Sequence, residues 1–168
     1  MKKLLAAIIA MALFLSAAAA GTTALNWEDD FKDRAEEIGG KTYDFEYLTC
    51  SVWIPDFFNG PDEEYGFVPA DGSSGIQKIV ILGTAASVID TIPKVYPDYE
   101  EYTVDGGCIR IGLSATDESK TLFGLICYEG EPVCHGLSCI YDISADDEEV
   151  KQLYLMIISS IQVRYDFE

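Results

Sequence analysis

The chain has one histidine, His135, among 168 residues, which leaves almost no imidazole chemistry to build on. It contains no Gly-x-Ser-x-Gly elbow and no Ser-x-x-Lys, so the usual arrangements that activate a serine are missing. No Asp-x-Asp-x-Asp-Gly calcium loop occurs, and no Cys-x-x-Cys knuckle. Positive charge is scarce: 11 Lys and Arg stand against 29 Asp and Glu, for a net charge of −18. Such a surface repels phosphate backbones and anionic headgroups, which argues against nucleic acid and against anionic membranes as partners. No low-complexity linker divides the chain, so a single domain is expected.

What is present begins with a leader. Met1-Lys2-Lys3 is a basic start, 4–15 is an apolar run, and 16–20 is rich in small residues. This is the pattern of a secretory signal peptide, too short to span a bilayer, with a cut expected after Ala20. No cysteine stands at the cut, which disfavours a lipid anchor. Export would place the protein outside the cytoplasm, in the envelope or the medium. Removing Lys2 and Lys3 would take the charge from −18 to −20.

The organisation expected beyond the leader is an N-terminal helix within 21–40 and an α+β domain over 41–168. Asn26 can cap a helix over 26–38, with Glu28, Asp29 and Asp30 at the positive end of its dipole. Trp27, Phe31, Ala35 and Ile38 form one apolar stripe, and Gly39-Gly40 stops it. From Lys41 the period changes to two, and strands are expected over 42–47, 48–54, 65–69 and 76–83. Helical spacing returns at 84–92, where Pro93 should end or kink the helix. A hairpin over 99–113 turns at Asp105-Gly106-Gly107. Strands at 121–128 and 134–144 follow, then an amphipathic helix with Ser144 as cap, Asp147 three residues on, and a face of Val150, Leu153, Tyr154, Ile157 and Ile161. The fold class expected is an antiparallel sheet of about six to seven strands flanked by helices.

Two regions could carry chemistry. Cys127, Cys134, His135 and Cys139 gather within thirteen residues, counting both ends. They admit three readings: unpaired packing thiols, a disulfide from Cys127 to Cys134 or Cys139, or a tetrahedral metal site. Cys134 and His135 are neighbours and would point to opposite faces of a strand, which opposes the metal reading. A nucleophilic pair of Cys108 or Cys127 with His135 is the hydrolase variant. With five cysteines, at least one stays unpaired in a monomer. The second region is the acidic loop 56–71, where Phe57 and Phe58 adjoin Asp62, Glu63 and Glu64. Between Thr42 and Gln77 there is no basic residue. Adjacent aromatics in such a loop either plug the core edge or contact a partner.

Three short stretches, Val52-Trp53-Ile54-Pro55, Val104-Asp105-Gly106-Gly107 and Ile158-Ser159-Ser160-Ile161-Gln162, resemble the PsbP-like α/β/α sandwich. That fold is shared by the PsbP protein of the oxygen-evolving complex, a Ran-binding nuclear import factor and small secreted bacterial proteins of unassigned function. The resemblance implies a non-enzymatic binding domain, none of its motifs is a catalytic signature, and it carries over no functional residue; no cofactor is expected. The cysteine-rich hairpin and the Trp27 helix depart from the family's pattern. The expectation is therefore a secreted, non-catalytic protein that binds another protein or a glycan. The alternatives are a small thiol/disulfide redox or metal-binding protein, or a small hydrolase.

Overall fold

The computed structural model describes residues 22–70 and 75–166. The expected leader and Asp71 lie outside the described residues. Among the described residues eleven strands occur: β1 (Thr23–Ala24), β2 (Gly40–Phe45), β3 (Cys50–Pro55), β4 (Phe58–Asn59), β5 (Gly66–Pro69), β6 (Ile76–Ala85), β7 (Glu100–Val104), β8 (Gly107–Ala115), β9 (Ser119–Tyr128), β10 (Val133–Asp142) and β11 (Gln162–Val163). The helices are α1 (Lys32–Ile38), entered through a π-helical turn at Trp27–Phe31, then α2 (Ile92–Val95), entered through a 3-10 segment at Ala86–Thr91, and α3 (Asp147–Ser159).

Eight strands form the main sheet in the order β1-β7-β8-β9-β10-β6-β5-β4. The expectation of six to seven antiparallel strands is corrected twice. The sheet is larger, and it is mixed, because β1 runs parallel to β7. A second sheet, β11-β3-β2, has three strands. Two-residue strands such as β1 and β11 are too short to show a period, so only tertiary pairing reveals them.

The long strands behave as their alternation demands. On β9, Leu122 and Ile126 face the larger core, while Phe123, Leu125 and Cys127 face a smaller cluster on the opposite side. On β8, Ile109 and Ile111 join the larger core. Each strand between two packed layers needs apolar residues on both faces, and β9 has them.

The helix α3 lies on the larger core against β9 and β10, and it also touches β3 and the π-helical turn. Leu153, Tyr154, Leu155, Met156, Ile157 and Ile158 are all buried. The sequence shows one buried face, but the helix is enclosed on both sides because the β11-β3-β2 sheet closes over its back. Polar contacts fix each side. Tyr154 donates its hydroxyl to the Leu137 carbonyl on β10 at 2.6 Å. On the other side the Trp53 amide of β3 donates to Ser160 Oγ at 3.0 Å. Gly124 makes the first contact possible, since a Cβ there would stand 2.7 Å from the Tyr154 hydroxyl. Burying these six apolar side chains contributes roughly 1.5–3 kcal/mol each before ordering costs.

Two local signals differ from expectation. Asp146, not Ser144, caps α3, its Oδ1 accepting from the amides of Glu148 at 2.9 Å and Glu149 at 3.1 Å. Pro93 does not stop the helical path: the 3-10 segment changes to α2 at Ile92, and Pro93 sits in the first turn of α2, where its missing amide hydrogen costs nothing. At the other terminus the N-terminal segment is part of the domain, since Leu25, Phe31 and Ala35 join the main core.

Candidate functional site

The cysteine-histidine hairpin is divided by the sheet that carries it. Cys127 and Cys134 form a disulfide with Cα atoms 4.5 Å apart. His135 opposes Ile126 across β9 and β10, so it points to the other face, where its ring is fully buried. Nε2–H donates to the Leu48 carbonyl at 2.7 Å. A carbonyl can only accept, so Nε2 carries the proton and Nδ1 is bare, without a hydrogen-bond partner. Burial lowers the pKa of His135, partly opposed by the Leu48 carbonyl and by Glu131. Cys139 shares the His135 side and lies in the larger core. Burial pushes its thiol up to about 12.

This geometry corrects two readings of the hairpin. The proposed metal ligands fall on opposite faces: Cys127 and Cys134 on one, His135 and Cys139 on the other. Among the described residues no group of three or more His, Cys, Asp or Glu is placed to hold a metal ion. For the same reason neither Cys108 nor Cys127 can use His135 as a base, because the sheet backbone separates them.

The acidic loop is also largely structural. Phe58 is buried in the main core, and Phe57 packs against the same core from a half-buried position with its ring centroid 4.7 Å from that of Phe58. The pair plugs the core edge, so Phe58 is not available to a partner. Asp62 is engaged by the chain itself: Oδ1 accepts from the amides of Glu64 at 2.9 Å and Gly66 at 2.7 Å. Its Oδ2 pairs with Lys78 at 2.8 Å. The hydrogen bond from Lys78, with those two amides, lowers its pKa. Glu63 and Glu64 remain exposed.

A cleft not expected from the sequence lies between α1 and the β2-β3 pair. It has a volume of about 400 Å³ and is lined among others by Trp27, Trp53, Lys32, Glu36, Gly40 and Lys41. The two indoles stand 5.6 Å apart at 46°, Trp27 half-buried and Trp53 nearly buried. Gly39, with φ of 79°, ends α1 by donating its amide to the Ala35 carbonyl. Gly40 then lets β2 pass over Trp53, where any Cβ would lie 2.7 Å from the indole nitrogen. Lys41 makes no ion pair among the described residues, and its ammonium lies 4.8 Å over the Tyr43 ring. The sequence signal was the pair of tryptophans and the double glycine, but only the tertiary fold brings residues 27 and 53 together.

The geometry first defines a class: an α+β sandwich with a mixed eight-stranded sheet covered on both faces. No protein-family model matches the chain, and no curated protein matches it by sequence. Solved structures do. A crystal structure from Bacteroides thetaiotaomicron is similar with a TM-score of 0.52 at 14% identity, over 77% of this chain and 50% of that one. The chain thus spans half the length of that bacterial protein. The Ran-binding protein Mog1p of Saccharomyces cerevisiae is similar with a TM-score of 0.51 at 10% identity, over 77% of this chain and 97% of that one. A cyanobacterial PsbP from Synechocystis gives 0.44 at 11%, over 75% and 93%. The chain therefore has a Mog1-type fold; identities this low speak for the fold alone.

Proposed function

We propose that this is a secreted, non-catalytic binding domain whose recognition surface is the Trp27–Trp53 cleft, with a protein segment or a neutral glycan as partner. The observation that carries the reading is the cleft itself: an aromatic wall, a glycine floor and two lysines in an otherwise acidic chain. A ring such as Trp27 offers a large apolar face with an N–H handle; the Lys41 ammonium supplies hydrogen-bond donors, while that of Lys32 already donates to Glu28 at 2.5 Å. The chain's negative field works against a polyanionic partner and favours a neutral or basic one. The basic-then-apolar leader and the Cys127–Cys134 disulfide support export, because disulfides persist in oxidising compartments. The yeast protein that shares the fold is a Ran-binding protein, which by analogy supports a protein partner. No helix among the described residues is long and apolar enough to cross a membrane.

Titration of the intrinsic tryptophan emission with a panel of neutral oligosaccharides and basic or apolar peptides tests the proposal. A saturable change is expected with at least one member, at least tenfold weakened in W27A and in K41E. If saturation occurs with equal affinity in W27A and wild type, the cleft is not the surface. If no member gives saturation, the binding reading of this cleft fails.

A further inference from the structure

Cys108 was the one cysteine outside the hairpin region that the sheet brings next to it. On β8 and β9, Cys108 lies directly opposite Cys127, and Cys127 in turn is bonded to Cys134 on β10. Residues directly opposite in a sheet share a face, so three sulfur-bearing side chains stand in one row across three adjacent strands. The pair type differs on the two sides of Cys127. A Cα separation of 4.5 Å to Cys134 marks a non-hydrogen-bonded pair. Cys127 therefore directs its backbone groups toward β8, making Cys108 and Cys127 a hydrogen-bonded pair at roughly 5.5 Å. That separation also lies within the range a disulfide spans.

We propose that these three residues form a thiol–disulfide relay, in which the bridge exchanges between Cys127–Cys134 and Cys108–Cys127. The row supplies the alignment: Cys127 is the central sulfur, with the attacking group on one side and the leaving group on the other. The Cys108 thiol first loses its proton to water. Its thiolate attacks Cys127 Sγ, a Cys108–Cys127 bond forms and the Cys127–Cys134 bond breaks. The electron pair leaves with Cys134 Sγ, which takes a proton from water. Nothing is oxidised or reduced overall.

Three observations fit this assignment. Cys108 is partly exposed, whereas the other free thiols, Cys50 and Cys139, are buried. Cys134 Sγ lies 3.7 Å from the Ala86 carbonyl, an acceptor in place for the thiol once it is released. The charged groups facing Cys108 are Arg110, Glu101 and Asp90: burial raises its pKa, Arg110 opposes that rise, and the two carboxylates add to it. The thiolate is the nucleophile, so exchange accelerates as pH rises toward the Cys108 pKa, by about tenfold per unit.

The test uses the full oxidised protein and two variants. C134S is incubated with oxidised glutathione, which accepts the two electrons, then acid-quenched, alkylated and mapped by mass spectrometry. The expected product is an intramolecular Cys108–Cys127 disulfide. Separate thiols or separate glutathione adducts at Cys108 and Cys127 overturn the proposal. If circular dichroism shows C134S unfolded, wild-type protein decides, with C108S as control. After incubation at pH 9 and acid quench, alkylated Cys134 must appear in the wild type and not in C108S. Its absence from the wild type, or its equal presence in both, overturns the relay.

Discussion

The two faces of the main sheet are built to different standards. On the α3 face the core runs without interruption from Leu25 through β2 and β3 to Ile161, and its polar groups are mostly paired. On the opposite face the fully buried residues are Ile92, Leu125 and Cys134, roofed by the short 3-10 segment and α2. That roof is pinned by Arg110, which donates to the Ile89 carbonyl at 3.3 Å and pairs with Asp90 at 3.0 Å. Strand alternation then allots the chemistry. His135 and Cys139 go to the sealed face and become inert; Cys108, Cys127 and Cys134 go to the thinly covered one, where Cys108 and Cys127 are part-exposed and Cys134 is buried under the roof.

The largest effect that tests this contrast is a cavity on each side. Ile158→Ala, at a site with no exposure, is expected to cost about 2–5 kcal/mol in urea unfolding. Val88→Ala in the opposite roof, where Val88 is half-buried against the smaller cluster, should cost less than about 1 kcal/mol. Equal losses would erase the distinction. Next comes Ser160→Ala, which leaves the buried Trp53 amide without its acceptor. It should cost about 1–3 kcal/mol, and a loss near zero would mean that the β3 side of α3 is loosely held. The smallest effect concerns pH. Folded His135 has a lowered pKa because of burial, so the unfolded chain binds the proton more tightly. The stability this neutral ring contributes is complete above the unfolded pKa of about 6.5 and is lost as pH falls through the folded pKa. His135→Gln should flatten that part of the stability–pH curve. An unchanged curve would place the ring in contact with water.

Much of this arrangement was legible in the sequence, and what was not has identifiable causes. Alternation separates the two faces of β9 and buries Ile109 and Ile111 on β8, although Leu113 on the same face of β8 is exposed near the strand end, and Val150, Leu153, Tyr154, Ile157 and Ile161 are all buried as their spacing predicts. Burial of Leu155, Met156 and Ile158 was not legible, because it depends on a second sheet that closes through β11, two residues long. Ser144 gave way to Asp146 as the α3 cap, since both residue types satisfy the same local rule and the sequence does not rank them. Phe57-Phe58 could not be assigned to surface or core without knowing that β4 pairs with β5. The cysteine row needed register across strands β8 and β9, which adjacent sequence does not specify. The Trp27–Trp53 cleft joins residues that no local pattern connects.

Thiol counting by maleimide labelling tests the allotment of side chains to faces most directly. Without reductant the native protein should label rapidly at one position, Cys108; denaturant should raise the count to three, adding Cys50 and Cys139, and reductant to five. Five reactive thiols in denaturant without reductant, or rapid native labelling of Cys139, would contradict the account.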